Sequence, residues 1–288
     1  MKPLLIPPHI KQAIDKGAVI ALSLSGGKDG QAMAMAVMTY LQENNCKNEV
    51  IAVHSDLGKV EWEESLPQCE FIANWHNIKL HVVRYPGGLM ARMRARLNTL
   101  AGKNIPFWPS SEGRYCTSDT KRNPINKLFR KYKFIISAEG LRASESKARA
   151  KKQVCSLRTA ITSKTYKGLD DIETLNDKDR LAITWYPIHD WLDDDVWETW
   201  GSSTEELNHR RKNYQEGDLQ NALEDWMFHP AYVYGNERVS CKLCVLASLN
   251  DLKNGVKHGR ELAEEYAAME DESGYTFKNG FSIKALLN

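Results

Sequence analysis

Apolar runs that alternate with helical stretches set the frame of this 288-residue chain. Residues 19–24 form a continuous apolar run and residues 49–56 alternate. Residues 79–85, 134–138 and 181–188 repeat the strand-like character. Between them, residues 31–41 place apolar side chains at helical spacing, and residues 61–77 read as a helix interrupted near Pro67. Residues 89–100 form a basic amphipathic stretch, another helix runs through Lys131, and an acidic-capped helix starts within 190–197. Residues 163–180 are polar and poorly periodic and predict a flexible excursion, while residues 262–269 predict a terminal helix. Strands alternating with helices predict an α/β fold with a mainly parallel open sheet flanked by helices. No repeat or low-complexity tract divides the chain. We expect one domain over 1–288, with a core of about 19–200 and a cysteine-bearing helical part of about 201–288.

Composition narrows the class. A hydrophobic content of 42% is ordinary for a soluble globular protein, and no apolar run approaches membrane-spanning length. The first ten residues carry prolines where a signal peptide would carry an apolar core, so the expected location is cytoplasmic. Six cysteines kept reduced in that compartment point to metal, cluster or catalysis before disulfides. The net charge of +2 hides an asymmetry: residues 84–167 hold 20 Lys and Arg against 4 Asp and Glu, a balance of +16. Such a segment is a solvated face, the wall of a phosphate pocket, or a track for nucleic acid, and charge alone does not choose.

The sharpest chemical signal is Ser23-Leu24-Ser25-Gly26-Gly27-Lys28-Asp29-Gly30, between the first strand and the first long helix. Adjacent glycines allow a tight turn that aims backbone N–H groups at one anion, and the helix start adds partial positive charge. Ser25 can donate its hydroxyl, Lys28 can neutralise a phosphate oxygen, and Asp29 suits a helix cap or an indirect magnesium contact. The spacing differs from the Walker loop, which needs four residues before its Gly-Lys pair. The stretch resembles the Ser-Gly-Gly-x-Asp-Ser loop of the ATP pyrophosphatases, with Gly30 in place of the last serine. The resemblance implies cleavage of ATP between its α- and β-phosphates. It gives Ser25, Lys28 and Asp29 the catalytic roles, with Ser23, Gly26, Gly27 and Gly30 completing the nucleotide loop. The second strand ends in His54-Ser55-Asp56-Leu57-Gly58, and in an open parallel sheet this end faces the same crevice as the glycine loop. Asp56 there binds a ribose hydroxyl or orients magnesium, with His54 and Gly58 beside it; the alternative is a plain strand-end turn.

Further along, Cys116-Thr117-Ser118-Asp119-Thr120-Lys121-Arg122-Asn123-Pro124 and Gly140-Leu141-Arg142-Ala143-Ser144-Glu145-Ser146-Lys147-Ala148-Arg149 are similar to the middle motifs of the phosphoadenosine phosphosulfate reductase-like family. That family is a branch of the Rossmann-like adenine nucleotide α-hydrolase fold. The resemblance implies that Lys121, Arg122, Gly140, Arg142 and Arg149 face the nucleotide or its polyphosphate. The element from Pro187 to Trp197 also resembles the family; we read Trp191 and Trp197 as packing and Asp193, Asp194 and Asp195 as capping. Cys241 and Cys244 have the spacing of two thiolates that grip one metal or one cluster edge. In the resembling family such a pair and upstream cysteines hold a [4Fe-4S] cluster. Here Cys116, Cys155, Cys241 and Cys244 provide four thiols, with zinc or plain buried thiols as the alternatives, while Cys46 and Cys69 read as structural.

The reductases of this family use a cysteine on a C-terminal tail, and no cysteine follows Cys244. The resemblance therefore favours an ATP pyrophosphatase that activates an acceptor for sulfur incorporation, nearest to the enzymes of DNA phosphorothioate modification. It implies ATP and Mg2+ as cofactors. The implied partners are a cysteine desulfurase and other sulfur-modification subunits, with DNA as the preferred acceptor; no membrane is involved and a homodimer is compatible. A sulfonucleotide reductase, a sulfate adenylyltransferase subunit, and a non-catalytic cluster-bearing nucleic-acid-binding subunit are the competing readings.

Overall fold

The computed structural model describes residues 1–287. Its frame is a six-stranded sheet of β1 (Val19–Leu24), β2 (Val50–Asp56), β3 (Lys79–Arg84), β4 (Phe134–Glu139), β5 (Cys155–Leu157) and β6 (Leu181–Trp185), in the order β3-β2-β1-β4-β6-β5. Every pairing is parallel except that of β5 with β6. The chain leaves β1 in one direction through β2 and β3, then returns to lay β4 on the other side of β1. The connections therefore diverge between β1 and β4 and leave a crevice at the carboxyl ends of the strands, where open α/β sheets bind ligands.

Helices cover both faces, which is why β6 is buried along its whole length and β4 at every residue but its last. On one face α1 (Pro8–Asp15), α2 (Lys28–Glu43) and α3 (Ser65–Trp75) pack Ile10, Met33, Val37 and Ile72 against Ile20, Leu22 and Ile136. On the other face Leu128 and Phe129 meet Ala21, Ile51, Ile135 and Ala182. The helix α4 (Gly88–Leu100) contributes to neither of these two cores. α3 is not interrupted at Pro67, because the proline falls in its first turn, where no intrahelical N–H bond is lost. The run expected as one helix through Lys131 is α5 (Tyr115–Thr117), a π-turn at Ser118–Arg122, and α6 (Asn123–Phe129). Residues 163–180 are not a loose excursion: Tyr166 and Ile172 are buried in the main core. The short β5 carries too little pattern to be seen in sequence.

Short helices α7 (Lys147–Ala150) and α8 (Asp193–Glu198) follow the loops that leave β4 and β6. Beyond them come α9 (Thr204–Gln215), α10 (Leu219–Leu223), α11 (Leu249–Lys257) and α12 (Arg260–Ser273). α12 runs past both ends of the expected 262–269 and stops at Gly274, whose φ of 73° is left-handed. Leu252, Val256, Leu262 and Tyr266 of α11 and α12 join Leu89, Met93 and Leu97 of α4 in a second core. Among the described residues no helix is long and apolar enough to cross a membrane.

Gly255 locks this second core to the cysteine segment. A Cβ there would lie 2.8 Å from the Lys242 carbonyl carbon and closer still to its oxygen. Helix propensity alone favours Gly255→Ala by up to about 1 kcal/mol. The backbone overlap wins, and we expect a net loss of about 1–3 kcal/mol, read as a lower urea midpoint.

Candidate functional site

The glycine loop is shaped from below and from the side. Gly26 has φ 76°, and a Cβ on it would stand 3.0 Å from the Ser65 carbonyl oxygen and 3.2 Å from the His229 ring, so conformation and space both require glycine. Lys28, the first residue of α2, donates its backbone N–H to the Tyr232 hydroxyl at 2.9 Å. His229 is fully buried, and burial pushes its pKa down to about 3. Its neutral Nδ1 accepts from the Ala231 N–H, leaving the ring proton on Nε2, 3.3 Å from the Ser65 hydroxyl. Gly140 presses on the loop from β4: a Cβ there would lie 2.7 Å from the Gly30 nitrogen and closer to the Asp29 carbonyl. Gly30 is different. A Cβ would meet only ordinary contacts, the nearest at 3.5 Å, so sterics do not demand glycine there.

A four-membered ion network sits at the head of this loop. Lys28 Nζ lies 2.6 Å from Asp193 Oδ1 and 3.2 Å from Asp29 Oδ1. Arg142 donates through Nε to Asp29 Oδ1 at 2.6 Å and through Nη2 to Asp193 Oδ1 at 2.8 Å. The cations are almost sealed, with side chains 7% and 3% exposed. Burial opposes the charge on Arg142, and Asp29 and Asp193 more than restore it. Burial likewise opposes the Asp193 carboxylate, which Lys28 and Arg142 nevertheless hold below its usual range. Asp193 was expected to cap α8, yet Asp195 accepts the Leu192 N–H and Asp194 accepts from Thr204. No spacing rule would have found Asp193, because its partners lie 165 and 51 residues away.

Two cavities open here, of about 780 and 660 Å³, and share Ser23, Ser25, Thr117, Lys121, Glu139 and Lys152. The first holds Gly27, Lys28, Asp29, Gly30 and Gly140, with Arg142 and Arg149. Glu145 pairs with Arg149 and, at 3.0 Å, with Arg238, tying the cysteine segment to the crevice. The second holds His54, Arg122 and Glu61. Arg158, which the sequence did not single out, also lines it, donating to Asn126 at 2.8 Å and Glu139 at 2.9 Å. Asp56 and Gly58 line neither cavity. Asp56 accepts from the Gly58 N–H at 2.7 Å and from Arg84 Nε at 2.9 Å, the bonds of a strand-end turn. Glu61 takes the inner position instead, with Oε2 3.3 Å from His54 Nε2. Burial resists the His54 charge, but Cys69 and Glu61 draw its pKa up to about 10.

Of the four thiols expected to act together, Cys155 stands apart, in a different core from Cys116 and Cys241. Cys116, Cys241 and Cys244 surround Lys121, which they and Glu61 keep protonated against burial. Burial pushes the Cys241 thiol up to about 12, against the pull of Lys121. Cys155 belongs to β5, paired opposite Trp185 and packed in the main core, because alternation along that edge strand turns it inward. Among the described residues no three His, Cys, Asp or Glu side chains are placed to hold a metal ion. Cys155 therefore does not join Cys116, Cys241 and Cys244 in this arrangement.

The parallel sheet, its switch-point crevice and the glycine loop at the head of α2 define a nucleotide-type α/β site. The chain belongs to the phosphoadenosine phosphosulfate reductase domain family, whose model matches residues 19–209. An uncharacterized protein of Methanocaldococcus jannaschii is 23% identical over 251 residues, 84% of this chain but 45% of that protein, so the chain spans about half the length of this relative. Among solved structures, it is similar to a phosphoadenylyl-sulfate reductase from Candida auris in a phosphate complex, at 12% identity and TM-score 0.41 over 66% of this chain and 75% of that one. It is also similar to the U34-tRNA thiolase of Methanococcus maripaludis with its [4Fe-4S] cluster, at 13% identity and TM-score 0.39 over 84% of each chain.

Two outcomes follow from the geometry. Gly140→Ala pushes the Asp29 and Gly30 backbone out of place, and calorimetry should record an anion affinity at the loop at least about tenfold weaker. The raised His54 pKa implies stability that is complete below pH about 6.5 and lost as pH rises through about 10. His54→Gln should abolish that decline in urea unfolding across pH 7–10.

Proposed function

We propose that the protein is an ATP pyrophosphatase that cleaves MgATP to AMP and pyrophosphate and so activates an acceptor for sulfur incorporation. The observation that carries this reading is the convergence of Lys28 and Arg142 on the amide-rich start of α2, at one end of a crevice that continues into a second cavity. In this reading the loop amides, Ser25, Lys28 and Arg142 hold the two outer phosphates. The nucleoside extends toward His54 and Arg158. An acceptor oxygen attacks the α-phosphorus, the bond from that phosphorus to the bridging oxygen breaks, and the electron pair leaves with pyrophosphate; a sulfur nucleophile, or water in its absence, then displaces AMP from the adenylylated acceptor. Catalysis is positioning and charge stabilisation, with no protein nucleophile. Asp29 orients Arg142, and magnesium arrives as part of the substrate. No step is assigned to a cluster.

A nucleic acid, DNA in the first instance, with sulfur delivered by a cysteine desulfurase, is supported by a basic groove behind the crevice. The helical run from Tyr115 to Phe129 presents Thr117, Lys121 and Arg122 to the crevice. Its other side, with Lys127, joins Arg84, Arg92 and Lys131 around a surface cavity of about 700 Å³. Arg84 and Arg92 are paired with Asp56 and Asp119, but with Lys127 and Lys131 they leave the lining net positive, which suits a phosphate backbone.

The test is product analysis with MgATP and a candidate acceptor. We expect pyrophosphate and AMP, with Lys28→Ala and Arg142→Ala each lowering turnover by about 10²–10³. ADP with orthophosphate, or turnover untouched by both changes, would refute the reading.

A further inference from the structure

Asp193 is out of character for a helix-start aspartate. Its side chain is 61% exposed, yet it makes the shortest contact to Lys28 and a second short contact to Arg142, both nearly sealed from solvent. One oxygen, Oδ1, bridges the two cations, as one oxygen of a phosphate would. Asp29 also touches both cations, but it belongs to α2 and is only 21% exposed. Asp193 lines the cavity and is the more exposed of the two carboxylates. The cations do not depend on it for direction. Lys28 Nζ lies 5.5 Å from the Trp197 ring centre, and Arg142 Nη1 donates to the Ser144 hydroxyl at 3.1 Å and the Trp191 carbonyl at 3.4 Å.

Resting on the reading of the loop as a phosphate site, we propose that Asp193 is a built-in phosphate substitute. Its carboxylate fills the place of a phosphate oxygen between Lys28 and Arg142 in the ligand-free protein and swings into solvent when a polyphosphate enters. The device raises the threshold for every anion by the same factor. A one-site anion exchanges one bridging oxygen for another and gains little. A pyrophosphate group adds contacts to the loop amides and the neighbouring guanidinium groups, and passes the threshold. The two cations are thereby kept neutralised and aimed without being occupied by simple cellular anions.

The test is calorimetric titration of the full chain with inorganic pyrophosphate and, separately, orthophosphate, both with a chelator in place of magnesium. Asp193→Asn should tighten both ligands by a similar factor, about tenfold. Asp194→Asn, one residue along and bonded to Thr204, controls for the loss of a nearby negative charge and should leave affinity within about twofold. A second readout is a crystal structure with pyrophosphate, in which the Asp193 carboxylate should have left both cations. Unchanged or weaker binding in Asp193→Asn, an equal gain in Asp194→Asn, or pyrophosphate bound while Asp193 still bridges Lys28 and Arg142 would each overturn the proposal. If only the Asp193→Asn variant binds pyrophosphate, the proposal stands strengthened. If neither protein binds it, the phosphate reading of the loop fails as well.

Discussion

Two nearly buried cations at the head of α2 are the constraint around which the rest of the site is arranged. An isolated ammonium or guanidinium so far from water is heavily disfavoured, and removal of one partner from such a pair costs about 3–5 kcal/mol. Lys28 and Arg142 are tolerable because Asp29 and Asp193 bring the local charge to zero. The requirement joins the loop after β1, the turn after β4 and the start of α8. Each contributes one or more members, and none could move alone without stranding a charge.

The packing around the network serves the same end. Gly140 allows two backbones to touch, Tyr232 caps the first amide of α2, and Ser65 and His229 support Gly26 from beneath. Arg238 reaches Glu145 from the cysteine segment. The residues beyond 200 are thus not an appendage: they build the floor and one wall of the crevice at the glycine loop. The second core between α4, α11 and α12 holds that wall in place.

Much of the frame was legible. Buried parallel strands need apolar side chains on both faces, so β1, β2, β4 and β6 announce themselves as runs, and a Gly-Gly turn between strand and helix has few other meanings. The three-residue β5 and the packed segment 163–180 escaped because their order comes from partners distant in sequence. A strand-end carboxylate such as Asp56 looks the same in sequence whether it faces a ligand or Arg84. Four thiols can be counted in a sequence, but the core in which Cys155 packs cannot be read there.

What the sequence by itself determined is local: the strand, glycine turn and helix that present Lys28, and the motif residues Gly140 and Arg142, because periodicity, turn conformation and helix-end charge act over a few residues. What only the tertiary structure decided is which charges meet. Asp193 meets Lys28, Glu61 meets His54, and Cys155 packs in a different core from Cys116 and Cys241. Ion pairing and thiol convergence depend on distances of a few ångströms between side chains as far as 165 residues apart, which only the packed sheet and its helices fix.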